Sequence, residues 1–232
     1  MRRAGVAGGV RGAQGATMDA GATLGGMVRR RLLAVVRTKT PEQALASAEA
    51  AIAGGITTLE IALAVPEAVR VITALASKPQ VTVGAGGVLT KEQAEMALMA
   101  QARFLVCPVG EISLIPLCRE AGVVSVLGAI TPSEIWSVHR AGADVVRISP
   151  VEALGGPRFL RAVLEALPPL PVMVEGGVTL ENLPDFLGLP VQMIGLGASV
   201  MVPRLIARGV YAPITARARD CVLLVEKRSA MR

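Results

Sequence analysis

Between residues 32 and 197, short runs of apolar, often β-branched residues alternate with Ala- and Leu-rich stretches of helical character. The runs are 32–37, 57–63, 81–86, 104–109, 123–129, 145–150, 172–176 and 193–197. Each is four to eight residues long, the length of a buried strand. The intervening stretches open on helix-start signals: Thr40-Pro41-Glu42, Thr90-Lys91-Glu92 and Thr131-Pro132-Ser133-Glu134. Strand and helix alternating every 20–25 residues imply crossover units and a parallel sheet. Eight such units close into a single (β/α)8 TIM barrel, whose working face lies at the C-terminal ends of the strands. A further helix is expected over 212–227.

Composition fits this architecture. Hydrophobic residues make up 52% of the 232 residues and aromatics only 2%, so the core must be aliphatic, as in parallel strands covered by helices. One domain of this size buries a large core. No apolar run reaches the ~18 residues of a membrane span. The cysteines Cys107, Cys118 and Cys221 are odd in number, widely spaced and form no metal pattern with the lone His139; reduced thiols are expected. Trp136 and His139 fall together on the fifth helix of the alternation, far from the working face, and are read as packing or surface residues.

The net charge of +6 does not imply a nucleic-acid partner. Residues 1–31 hold six arginines and one acid, Asp19; the other eighteen basic and seventeen acidic residues leave the body at +1. A nearly neutral body with a basic tail is not a nucleic-acid-binding domain. Residues 1–26 are Gly- and Ala-rich, without apolar periodicity. They are expected to be a disordered extension: either a loose terminus preceding a true start at Met18 or Met27, or an Arg-rich, acid-poor organelle-targeting segment. The barrel domain is 27–232, and the compartment is cytoplasm or plastid stroma.

The strand ends carry the chemistry. Arg37 ends the first strand, Glu60 lies in the second, Gly84-Ala85-Gly86-Gly87 ends the third and Arg147 lies in the sixth. Glu175-Gly176-Gly177 ends the seventh and Gly197-Ala198-Ser199 the eighth. Two arginines and two glutamates thus converge on one mouth. A charge inside an apolar strand is costly unless paired, so Arg147 must face a partner or a polar cavity. The glycines after the last two strands, with Ser199, are placed where such barrels present backbone N–H groups to a phosphate.

These residues resemble the 2-keto-3-deoxy-6-phosphogluconate (KDPG) / 4-hydroxy-2-oxoglutarate (KHG) aldolase family, class I aldolases on a (β/α)8 barrel, over 32–203. The likeness rests on Leu33-Ala-Val-Val-Arg37, Ala53-Gly-Gly-Ile-Thr-Thr-Leu-Glu-Ile61, Val83-Gly-Ala-Gly86, Thr131-Pro-Ser-Glu-Ile135, Ser149-Pro-Val-Glu-Ala-Leu-Gly-Gly156 and Gly176-Gly-Val-Thr-Leu-Glu-Asn182. The stretch 131–156 is most similar to plant and cyanobacterial-type members. The resemblance implies that Glu60 is the general acid/base, that Arg37 holds the substrate's anionic end, and that Gly176, Gly177, Gly197 and Ser199 form a phosphate site. It implies a homotrimer or a component of a larger complex, a small phosphorylated or keto-acid ligand, and no cofactor or metal.

The departures from the family pattern are equally specific. The family's Schiff-base lysine, in a Lys-x-x-Pro context, is here Arg147, with Pro150 retained. The threonine that helps bind the pyruvyl carboxylate is here Gly87, and the family's Pro-Thr-Gly-Gly is here Val174-Glu175-Gly176-Gly177. A Schiff base needs an amine that sheds its proton, whereas a guanidinium keeps its own. The expectation is therefore a barrel that has lost class I aldolase activity and keeps an anion-binding mouth, for ligand binding or assembly, with Arg147 paired to Glu175. The alternatives are an active aldehyde-lyase cleaving KDPG or KHG to pyruvate and an aldehyde through a displaced lysine, for which Lys39 after the first strand is the candidate, and a metal-dependent lyase built on Glu60 and Glu175.

Overall fold

The computed structural model describes residues 19–230. Eight parallel strands, β1 (Leu32–Val36), β2 (Thr58–Ala62), β3 (Thr82–Gly86), β4 (Phe104–Cys107), β5 (Val124–Gly128), β6 (Val145–Ile148), β7 (Val172–Glu175) and β8 (Met193–Leu196), close into a barrel in chain order. Closure is made by β1 against β8, with Leu33 beside Gly195. The strands coincide with the expected runs and are one to two residues shorter where a run extended into its loop. The helices are α1 (Ala20–Arg30), α2 (Pro41–Ala53), α3 (Ala68–Ala76), α4 (Lys91–Met99), α5 (Leu114–Ala121), α6 (Pro132–Arg140), α7 (Gly156–Glu165), α8 (Leu183–Leu187), α9 (Pro203–Ile206) and α10 (Ala212–Ala230).

The start signals act as their chemistry requires. The hydroxyls of Thr40, Thr90 and Thr131 accept from the N–H groups of Gln43, Gln93 and Glu134. At Thr90 and Thr131 the third helical residue reaches back to complete a capping box. Trp136 and His139 lie against each other on α6, ring centroids 5.8 Å apart and planes tilted by 37°.

Side chains alternate across each strand, dividing the apolar residues into two cores. Outward residues such as Ala34, Leu59, Ile61 and Ile194 pack under the helices. Inward residues, among them Leu33, Val35, Phe104, Val124, Val126, Met173 and Met193, fill the barrel. The three cysteines are buried and unpaired. Among the described residues no helix is long and apolar enough to cross a membrane.

One expectation is corrected. Residues 20–26, read as disordered, are helical and belong to α1. Asp19 caps that helix by accepting from Ala22 N–H. Met27 is buried in the same cluster as the barrel's inward residues, and Arg30 donates to Thr82 at the start of β3. The helix therefore closes the end of the barrel opposite the mouth. Its three glycines hide it from a propensity reading, and burial of Met27 supplies what propensity lacks. Residues 1–18, including Met18, lie outside the described residues.

Candidate active site

Parity along the strands brings the predicted charges together. On β1, Leu33 and Val35 point inward, so Arg37 just beyond the strand faces the same way. Val145 and Met173 likewise put Arg147 and Glu175 on the inner wall. Glu60 pairs in register with Val35 and Gly84. Glu60, Arg147 and Glu175 therefore sit on the inner wall, and Arg37 at its C-terminal rim.

Glycines make the room. A Cβ at Gly86 would overlap the Glu60 carboxyl, and one at Gly195 would lie 2.9 Å from Glu175 Cγ. Isolated glycines inside strands mark such close approach. They are the sequence signal for this geometry that a reading of charges alone passes over.

Arg147 and Glu175 form the expected ion pair across β6 and β7. Nε of Arg147 donates to Glu175 Oε2 at 2.8 Å, and Nη2 makes the ion-pair contact to the same oxygen at 2.7 Å. The side chains are only 13% and 14% exposed, so each largely compensates the other's lost hydration. The interior charge is thus solved by a partner on the neighbouring strand.

Glu60 is different. It is 3% exposed, and its Oε2 has no hydrogen-bond partner. Burial pushes its carboxyl up to about 8; the Glu175 charge acts in the same direction, and Arg147 and Arg37 oppose it more weakly. At neutral pH this group holds its proton and can donate it. Arg37 is exposed and forms no ion pair among the described residues.

Arg37, Glu175, Gly176, Gly177, Gly197 and Ser199 line one cavity of 610 Å³. Gly176 and Gly177 have φ of +87° and +89°. A Cβ at Gly177 would lie 2.3 Å from Glu152 Cβ, and one at Gly176 2.7 Å from Pro150 Cα, so both steric space and conformation require glycine there. Ser199 Oγ is buried and unpartnered. Arg217 on α10 fixes this loop by donating to Ser199 O at 3.0 Å, a contact that its remote place in the sequence does not announce. Glu60, Arg147 and Gly87 do not line this cavity. Gly87 lies after β3 with φ +75° and nothing within 4 Å of an added Cβ.

None of the eight strands contains a lysine. Lys39 is exposed in the loop after β1. Lys78 pairs with Glu49 and Lys91 lies near Glu95, all at least one-third exposed. Lys227 lies in the last turn of α10. Among the described residues no amine faces the mouth interior beside Glu60.

The family model for KDPG and KHG aldolase matches residues 26–217. The chain is 32% identical over 199 residues to the 2-dehydro-3-deoxy-phosphogluconate aldolase of Treponema pallidum, covering 85% of this chain and 94% of that one. It is 34% identical over 179 residues to a probable 2-dehydro-3-deoxy-6-phosphogalactonate aldolase of Rhizobium meliloti, covering 76% and 84%. A solved KDPG aldolase of Legionella pneumophila, with pyruvate captured as a covalent carbinolamine, superposes with a TM-score of 0.77 at 28% identity, covering 86% and 96%.

Proposed function

The chain belongs to the KDPG and KHG aldolase family, and we propose that within it the barrel mouth binds a small phosphorylated or keto-acid anion without the covalent chemistry of a class I aldolase. One observation carries this reading: the inner wall of β6 presents Arg147, locked to Glu175 by a hydrogen bond and an ion-pair contact to one oxygen. An aldolase of this class needs a neutral amine to attack the substrate carbonyl and draw off electrons from the breaking bond. A guanidinium retains its proton and delocalises its lone pairs, so it offers an anion a planar fork and offers a carbonyl no nucleophile.

The anion site rests on separate parts. Gly176, Gly177 and Gly197 line the cavity beside Ser199, whose buried hydroxyl lacks a partner, and Arg37 supplies an exposed positive charge at its edge. A phosphate or carboxylate seated there meets backbone and hydroxyl donors. By the family resemblance the protein acts as a homotrimer or a component of a larger complex, serving ligand binding or assembly; the basic N-terminal stretch is the ground for placing it in the cytoplasm or plastid stroma.

The competing reading, cleavage of KDPG or KHG to pyruvate and an aldehyde, requires an amine other than residue 147, and Lys39 is exposed. Titration calorimetry with inorganic phosphate and with a phosphorylated 2-oxo acid tests the binding site. Binding to the wild type and at least a tenfold loss in Ser199→Asp are expected, because the new carboxylate repels the ligand. Equal binding by the variant moves the anion elsewhere.

A further inference from the structure

Among the described residues that line the mouth cavity, the charged side chains are Arg37 and Glu175. Glu175 stands where the family pattern has a threonine, so this wall of the cavity has changed from a neutral hydroxyl to a carboxylate. Arg147 lies outside the cavity and makes both of its contacts to Oε2. Oε1 accepts no hydrogen bond from the described residues. The backbone beneath is latched as well: Glu175 O accepts from Val151 N–H at 2.8 Å, and Gly176 O from Glu152 N–H at 3.0 Å. A Cβ at Gly195 would lie 2.9 Å from Glu175 Cγ, so β8 bounds the side chain closely. One fixed acceptor oxygen is thus left to the cavity, on the residue directly before Gly176 and Gly177.

We infer that the mouth selects a phosphate monoester whose carbon chain carries a free hydroxyl near the ester. Oε1 of Glu175 accepts from that hydroxyl while Gly176, Gly177, Gly197 and Ser199 hold the phosphate. This rests on the anion-binding reading above and chooses between its two ligand types. An ionised carboxylate only accepts hydrogen bonds. A ligand hydroxyl satisfies it, whereas a keto oxygen brings it no proton and a ligand carboxylate meets like charge. Arg147 does not relieve that repulsion, because its own charge is already paired with Glu175. Consecutive Cα atoms are about 3.8 Å apart, so a three-carbon ester spans the carboxylate and the phosphate loop. The ion pair fixes the acceptor before a ligand arrives, which lowers the ordering cost of binding.

Titration calorimetry of the full-length protein at neutral pH tests this with inorganic phosphate, propyl phosphate, sn-glycerol 3-phosphate and 3-phosphoglycerate. The esters share a three-carbon chain and differ in their hydroxyls and in a terminal carboxylate. Hydrogen bonds to charged groups are the stronger ones, so glycerol 3-phosphate is expected to bind about tenfold more tightly than propyl phosphate or 3-phosphoglycerate. In Glu175→Gln the disadvantage of 3-phosphoglycerate should disappear. That variant leaves Arg147 unpaired, so Arg147→Met with Glu175→Gln, which removes both charges, is measured beside it and should lose the same discrimination. Propyl phosphate or 3-phosphoglycerate binding as tightly as glycerol 3-phosphate to the wild type overturns the inference and leaves the anion reading standing. Failure of all the probes, inorganic phosphate included, to bind overturns both. Discrimination undiminished in the variants removes Glu175 as its source and the inference with it.

Discussion

At Arg147 the chemistry turns on one substitution and its counter-charge. The Arg147→Lys variant restores the amine but places it beside Glu175, which favours the ammonium form and so opposes attack. No more than a trace of pyruvate-dependent borohydride trapping or retro-aldol turnover is expected from the single variant. Arg147→Lys with Glu175→Thr does better, because the counter-charge is removed and a hydroxyl donor is gained. Full activity in the single variant would show that Glu175 is neutral to the chemistry. Gly87→Thr, which the sequence alone marks as a simple restoration, carries a conformational cost here. Its site is open, but φ of +75° disfavours a β-branched residue.

Glu60 makes a prediction of its own. Its carboxyl ordinarily titrates near 4.5 and in the folded chain is raised to about 8. Between those values the folded state holds a proton that the unfolded state has released. This group's contribution is thus fully present below about 4.5 and is lost as pH rises through about 8. The slope is at most about 1.4 kcal/mol per pH unit. Glu60→Gln removes it. Urea midpoints compared at acidic and alkaline pH should show the variant gaining on the wild type as pH rises; a constant difference would mean that Glu60 is ionised throughout.

Among the described helices, α2 and α10 make the most extensive contact with each other. Gly54 follows α2, and a Cβ there would lie 2.5 Å from both Ala218 Cβ and Thr215 O on α10. Its φ of −85° suits any residue, so backbone entropy alone favours Gly54→Ala. Sterics decide otherwise: overpacking of this kind costs about 1–3 kcal/mol, and thermal unfolding should fall accordingly. An unchanged midpoint would show that α10 yields freely. The strands and capped helices were legible because alternation and caps are local: Thr90 and Thr131 announce their helices within four residues. Residues 20–26 of α1 were not, since Gly21, Gly25 and Gly26 argue against a helix that burial of Met27 sustains from across the barrel.

Over the whole molecule, closure in chain order gathers two arginines and two glutamates from four separate strands or strand ends into one mouth. Their convergence followed from strand parity, and so was readable in the sequence, as was the pairing of Arg147 with Glu175 on adjacent strands. The unpartnered Glu60 Oε2, the Arg217 tie to Ser199 and the room made by Gly86 and Gly195 were not, because each depends on side-chain packing between segments far apart in sequence. The non-covalent reading requires that no amine in this barrel captures a keto acid. Intact-protein mass spectrometry after incubation of the wild type with pyruvate and borohydride tests it directly. An unmodified mass is expected under conditions in which pyruvate is bound. A stable pyruvyl adduct mapped to Lys39 or any other lysine would contradict it.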